Sequence, residues 1–323
     1  MSVREEVESN ESFIIQGRRP DSRRSRRCGR PKTGLNTIVT SCDLTDDVWS
    51  HVEPLIPAGK RGGRKRSVEP REIVNGLMYV LSTGCQWRYV PKDLPPKSTL
   101  FGYFDLWNWY GTLDRIHHAL CVKCRETMDC EASPTACVID SQSVKSAEGG
   151  ADIDPGEYDA GKKIKGKKRH VLVDTFGLLL HAVVHPADIQ DRDGGAPVLS
   201  TLFGLYPFRQ KLFADSGYQG PIFQKASANI LPHVQIEVVK RSDQAKGFAL
   251  LPRRWVVERT FAWLNRCRRM AKDFENLNRN ARVFLRLASI RLMLRKLCYA
   301  TNFVILLYSR QLSNTTSYIT LYS

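Results

Sequence analysis

The chain has 323 residues, 42% of them hydrophobic, which is ample for one sizeable core and allows two domains. Its 49 Lys and Arg against 33 Asp and Glu give a formal charge of +16, a field that gathers polyanions and makes nucleic acid the first candidate partner, ahead of an anionic membrane surface. The apolar run FVILLY at 303–308 is far too short to span a bilayer, the charged N-terminus lacks the apolar core of a signal peptide, and nine scattered cysteines fit a reducing cytoplasm.

Residues 1–40 are polar, and RRPDSRRSRRCGRPK clusters arginine without apolar periodicity. A disordered basic tail is expected there, of a kind that can lie on phosphates. GRP at 29–31 resembles a minor-groove hook, but three residues are a weak signal beside a solvated tail.

Residues 41–130 read as an all-helical domain. Thr45 is an expected N-cap, and Val48, Val52 and Leu55 or Ile56 recur on one face. GKRGGRKR makes a basic loop. A second helix is expected over 69–82, with Ile73, Leu77, Val80 and Leu81 inward and Gly84 ending it. A third begins near Ser98 in an aromatic-rich stretch, STLFGYFDLWNWYGTLDRIHHALCVKC. Short helices beneath a basic loop suit a helix-turn-helix type of DNA reader, and a plain helical bundle fits the periodicity as well. His117, Cys121 and Cys124 share a helical face and Cys130 follows. With a single C-x2-C and no second pair at zinc-ribbon spacing, small buried cysteines are the simpler account than zinc.

From 131 to 297 strands take over. ACVID, KRHVLVDTFG, LLLHAVVHPA, KLFAD and VQIEVVKR are the expected strands, the second and third joined as a hairpin. Helices are expected over 194–204, after SGYQG, and in one long pattern from 252. The fold class is α/β, a mixed sheet flanked by helices. Residues 298–323 form an unassigned tail.

Two strands end on an acid, CVID at Asp140 and LFAD at Asp215. Adjacent strand ends of this kind bring two carboxylates together, and their repulsion is relieved by a divalent cation. Hard oxygen donors suit Mg2+ or Mn2+. A third acid is Glu258 in PRRWVVERTFAWLNRCRRM, where Trp255, Val256, Ala262 and Trp263 are expected to build an apolar side. From 241 to 296 there are 15 Lys or Arg against 4 Asp or Glu, so a salt-bridged Glu on a basic helix is the competing account. Asp174, Asp188, Asp191 and Asp193 read as turn and capping residues rather than ligands.

The ordered segments ACVIDSQSVK, AGKKIKGKKRHVLVDTFGLLL, LFADSGYQG and RRWVVERTFAWLNRCRRM resemble the DDE transposases of bacterial insertion sequences, the insertion sequence five-like family above all. LTDDVWSHVEPLIP, EIVNGLMYVLSTGCQWRYVP and STLFGYFDLW resemble that family's N-terminal helices, so the likeness covers residues 43–297. It implies a ribonuclease H-like core, an endonuclease and strand-transfer activity, and two Mg2+ or Mn2+ ions. Asp140 would bridge both ions, and Asp215 and Glu258 would each complete one shell. It further implies double-stranded DNA as partner, both element ends and target, and a homodimer at the nucleoid. Only 42 residues separate Asp215 from Glu258, which leaves no room for the large insertion of some relatives.

Lys162, Lys163, Lys165, Lys167, Lys168 and Arg169 form an acid-free run expected to contact the DNA backbone, with Arg254, Arg259 and Arg266 on the basic helix. Relatives place Tyr, Arg, Glu and Lys where this chain has Leu251, Arg254, Glu258 and Asn265, so Arg266 is the candidate for the lysine's phosphate contact. The competing functions are a catalytically inactive, transposase-derived repressor or end-binder and a plain nuclease.

Overall fold

The structure, a computed structural model, describes residues 43–59, 66–147, 153–200, 210–239 and 255–298. The tails at 1–40 and 299–323, most of the basic loop, the end of the helix expected over 194–204, the end of VQIEVVKR, Leu251 and Arg254 lie outside those residues.

Four helices come first. α1 (Asp46–Val52) is capped by Thr45, whose side chain accepts a hydrogen bond from the Val48 amide, and Asp46 and Asp47 sit in its first turn. Both features offset the unpaired amides and positive dipole end. α2 (Pro70–Thr83) starts on a proline and buries Ile73, Leu77, Val80 and Leu81, as its spacing requires. Gly84 ends it with φ of 68°; a side chain there would meet the Arg268 backbone at 3.1 Å. The aromatic stretch makes two helices, not one: α3 (Lys97–Trp109) and α4 (Thr112–Glu126). Phe104 packs at 5.0 Å from Phe284 and 5.5 Å from Trp87, so this part of the aromatic run is core. In α4, His117 pairs through Nε2 with Ser289 Oγ at 3.0 Å, and the Cys124 thiol donates to the Met293 carbonyl.

Six strands follow: β1 (Ala136–Lys145), β2 (Glu157–Asp159), β3 (Ile164–Asp174), β4 (Leu179–Pro186), β5 (Lys211–Ala214) and β6 (Gln235–Val238). Their order is β2-β3-β1-β5-β6, with β4 also on β3. β3 runs antiparallel to both β1 and β4, and β5 and β6 run parallel to β1. This is the ribonuclease H-like order. α5 (Asp191–Ser200), α6 (Pro221–Ile230), α7 (Trp255–Leu264) and α8 (Asn278–Cys298) complete the architecture. The long helical pattern from 252 is broken: a short 3-10 turn at Arg268–Met270 lies between α7 and α8.

One apolar cluster runs from Leu44 in the helical region through the sheet to Leu294 in α8. α8 is buried along most of its length because α2, α4, α7 and β4 all pack on it. A buried ion pair also links the helices to the sheet: Arg125 of α4 meets Asp174 of β3 at 2.5 Å. Asp174 also accepts the amides of Phe176 and Leu178. Removing one partner of such a pair costs about 3–5 kcal/mol. Among the described residues no helix is long and apolar enough to cross a membrane.

Three histidines are held uncharged. Burial pushes His117 and His170 down to about 3 and His181 to about 4. In the unfolded chain each takes a proton near pH ~6.5, so below that pH the unfolded state binds more protons. Stability is therefore lost as pH falls from ~6.5 toward the folded values, by roughly 1.4 kcal/mol per pH unit per histidine. Thermal unfolding followed from pH 7 down to 5 should show a steadily falling midpoint. A midpoint that stayed level would mean these rings are charged in the fold.

Candidate active site

β1 and β5 pair in parallel with Ala136 beside Lys211, Cys137 beside Leu212 and Val138 beside Phe213. Continuing that register two residues sets Asp140 beside Asp215. Parallel neighbours in register share a face, and strands lie about 4.8 Å apart. Asp140 within β1 and Asp215 just beyond β5 thus come to the same end of the paired strands. Asp140 is buried and its Oδ1 accepts the Ser141 amide at 2.7 Å. Asp215 caps the turn at Ser216–Tyr218, accepting the Gly217 amide. Asp140 is not a strand end, as the sequence suggested: β1 continues to Lys145. It is β5 that stops, at Ala214.

Behind the pair lies Tyr218, 1% exposed. Burial and then the negative charges of Asp140, Asp191 and Asp215 push its hydroxyl well above the usual range. It stays protonated and pairs with His170 Nδ1 at 2.8 Å. Asp191, from the first turn of α5, accepts the Ser141 hydroxyl at 2.7 Å and lies 3.3 Å from the Lys168 ammonium. Burial raises the Asp191 carboxyl, but Ser141, Lys168 and Lys162 outweigh it and hold the group below the usual carboxylate range. Sequence reasoning set Asp191 aside as a capping residue. The signal it missed is the Gly194-Gly195 pair that follows. A side chain at Gly194 would strike His170 and His185, and one at Gly195 would strike Phe223 and Tyr218, so this turn presses onto the site.

Glu258 sits on α7, which buries Val256, Val257, Thr260, Phe261 and Leu264. Ala262 is exposed, not part of the apolar side. Asn265 donates to Gln142 at 3.3 Å. Gln142 shares a strand face with Asp140, two residues away, and Asn265 shares a helix side with Glu258, two turns away. The Glu258 side of α7 thus looks toward the sheet face that carries Asp140. Glu258 itself is exposed. Among the described residues no three His, Cys, Asp or Glu side chains form a set that could hold a metal ion. Asp140 and Asp215 come to the same end of the paired strands β1 and β5, and Glu258 stands on α7. The paired carboxylates suit a hard divalent cation, which their mutual repulsion favours.

The basic run divides. Lys162, Lys163 and Lys165 are exposed, and Lys162 Nζ reaches the Ser141 carbonyl at 3.2 Å. Lys167, Lys168 and Arg169 are corrected: they lie inside β3 and are buried. Lys167 pairs with Asp273 at 3.2 Å and donates to the Glu275 carbonyl, and Arg169 donates to the Met270 carbonyl. A buried cation must be paired, and these three are spent within the chain rather than on DNA. Arg259 lies over the rings of Trp255 and Trp263, at 4.2 and 4.6 Å, and donates to the Phe176 carbonyl. Arg266 is exposed and, with Arg291, Arg295, Lys296 and Trp263, lines a cavity of about 650 Å³.

A family model described as "Transposase DDE domain" matches residues 131–293, and one described as "Putative transposase of IS4/5 family" matches residues 44–117. "Insertion element IS402 uncharacterized 16.2 kDa protein" of Burkholderia cepacia is 30% identical over 116 residues, 34% of this chain and 78% of that one. "Putative transposase for insertion sequence element IS402", from the same organism, is 29% identical over 117 residues. That match is 34% of this chain and 54% of the relative, so the chain spans about half of that protein's length. The DDE match takes in just over half of the chain and includes Asp140, Asp215 and Glu258, and the chain belongs to the DDE transposases of the IS4/5-like family of insertion sequences.

Proposed function

We propose that this chain binds the ends of its insertion sequence as double-stranded DNA and cleaves and transfers strands at a site built from Asp140, Asp215 and Glu258. The observation that carries this is the β1–β5 parallel register, whose continuation by two residues matches Asp140 with Asp215, within the segment that matches the DDE domain. Residues 41–130 are the part we assign to reading DNA, and 131–297 the catalytic part. Two copies would act on paired ends, in the cytoplasm at the nucleoid.

Asp140 and Asp215 would hold Mg2+ or Mn2+ between them, with Glu258 joining from α7. Two such ions, when bound, neutralise the acids and stabilise charge on the attacking and leaving oxygens. The chain's own groups do the rest. The buried ladder below Val138 and Phe213 holds the strands. Tyr218, kept protonated, backs the acids without adding charge. Lys162, Lys163 and Lys165 offer phosphate contacts beside the site, and Arg266 and Arg295 offer them beyond the end of α7. Water opens the phosphodiester at the element end and leaves a 3′-hydroxyl, which then attacks a target phosphodiester. Each step exchanges one P–O bond for another, so no protein nucleophile is needed.

Cleavage of a labelled duplex carrying the element end should fall in D140A, D215A and E258A by more than the ~10–100-fold typical of lost outer partners of a metal, with DNA affinity retained. Normal cutting by E258A would remove Glu258 from the site. Separately, R266Q and R295Q should weaken binding evenly across sequences. Each should reduce the slope of log affinity against log salt by about one, measured by fluorescence anisotropy.

A further inference from the structure

We propose that Asp191 is a positioning residue that clasps the two strand ends bearing Asp140 and Asp215. The inference rests on the assignment of those two acids given above. The β1–β5 register ends at Val138 and Phe213, two residues short of the acids. No further rung of that ladder sets the spacing of the carboxyl groups, so something else must.

Asp191 is bonded to the Asp140 side and abuts the Asp215 side. Its Oδ1 accepts the hydroxyl of Ser141, the residue after Asp140, at 2.7 Å. Its Oδ2 lies 2.9 Å from the point where a Cβ on Gly217 would sit, and Asp215 Oδ1 lies the same distance from that point. The two oxygens are thus no more than twice 2.9 Å apart. Carboxylates that close repel, and the surrounding cations offset this. Lys168 Nζ is 3.3 Å from Asp191 Oδ1 and 3.4 Å from Asp159 Oδ2, and it donates to the Ile189 carbonyl at 2.8 Å. Lys162 Nζ stands 3.3 Å from Ser141 Oγ. Asp159 is itself fixed by Ser143, by the amides of Gly161 and Lys162, and by Lys168. The buried Lys168 is therefore no DNA contact but the counter-charge of the clasp. Asp191 acts through its neighbours: one oxygen is committed to Ser141 and Lys168, and the other borders the loop that carries Asp215.

The clasp also accounts for Gly217. A methyl group there would press on Asp191 Oδ2, Asp215 Oδ1 and the Asp191 Cβ, the last at 3.3 Å. Gly217 is thus the gap between the clasp and one of the acids it positions. A plain helix-capping role for Asp191 makes no such demand on residue 217.

The test is Mn2+ affinity of the full chain without DNA, followed by electron paramagnetic resonance, beside circular dichroism and metal-free DNA binding. D191A should weaken Mn2+ by about 10–100-fold and raise the metal concentration for half-maximal cleavage by the same factor, leaving DNA affinity unchanged. D191N, which still accepts from Ser141, should lose less. G217A should weaken Mn2+ as D191A does without altering any carboxylate, and it decides the matter if D191A misfolds. Wild-type Mn2+ affinity in D191A or in folded G217A overturns the clasp. Loss of Mn2+ binding in D191A as complete as in D140A would make Asp191 a ligand and also overturns it. If instead D140A keeps wild-type Mn2+ affinity, the assignment of the acids has failed, independently of the clasp.

Discussion

Two carboxylates at one level of neighbouring parallel strands are the constraint around which this site is built. The register of β1 and β5 sets Asp140 beside Asp215, and like charges at strand spacing oppose each other. The fold accepts this cost because the arrangement below it is rigid. Cys137, Val138, Leu212 and Phe213 are almost fully buried, so the strands cannot part to relieve the acids. Relief has to come from groups around the strand ends. Tyr218 fills the space behind with a hydroxyl that stays neutral, and Lys168 and Lys162 supply positive charge from β3 and the turn before it.

Burial also explains where part of the chain's excess of cations goes. The formal charge of +16 suggests a surface given over to DNA, yet much of the basic sequence works inside. Lys167, Arg169 and Arg269 fasten residues 270–275 to the sheet and to the helical region. Lys167 meets Asp273 and the Glu275 carbonyl, Arg169 the Met270 carbonyl, and Arg269 both Glu275 and the Cys85 carbonyl. Buried ion pairs are weak sources of net stability but costly to break. Here they fix the segment that joins α7 to α8, and so the helix that bears Glu258. Charge that looked like an interface in one dimension is partly the bolt that holds α7 to the sheet.

Much of the fold was legible because local signals agreed. The Thr45 cap, the inward stripe of α2 and the apolar runs of β1, β3, β4 and β5 each followed from residue type and spacing. The far half of β1 was hidden. Ser141 and Ser143 look like a turn, yet both are buried as strand residues because Asp191 and Asp159 accept their hydroxyls. Lysines 167 and 168 were misread for the same reason: most of their partners lie far along the chain, on Asp191, Asp273 and the Ile189 and Glu275 carbonyls. Asp140 and Asp215 were visible as acids closing apolar runs. Asp191 was invisible because its partners come from other elements, and only the glycines after it hint at close packing.

The three acids are held by different means, and that difference shapes the site. Asp140 lies within β1, paired across to β3, and Asp215 caps the turn that follows β5, so both stand on a sheet whose core is buried. Glu258 is placed by the packing of α7: Thr260 on the Gly177 carbonyl, Arg259 on the Phe176 carbonyl, and Asn265 on Gln142. Asn265 makes a neutral 3.3 Å hydrogen bond to the strand at Gln142. It ties down the C-terminal end of α7, two turns from Glu258. A small tilt of the helix about that tie would change the reach of Glu258 while leaving the other two acids untouched. Sheet register therefore makes the site's fixed floor, and α7 its adjustable wall.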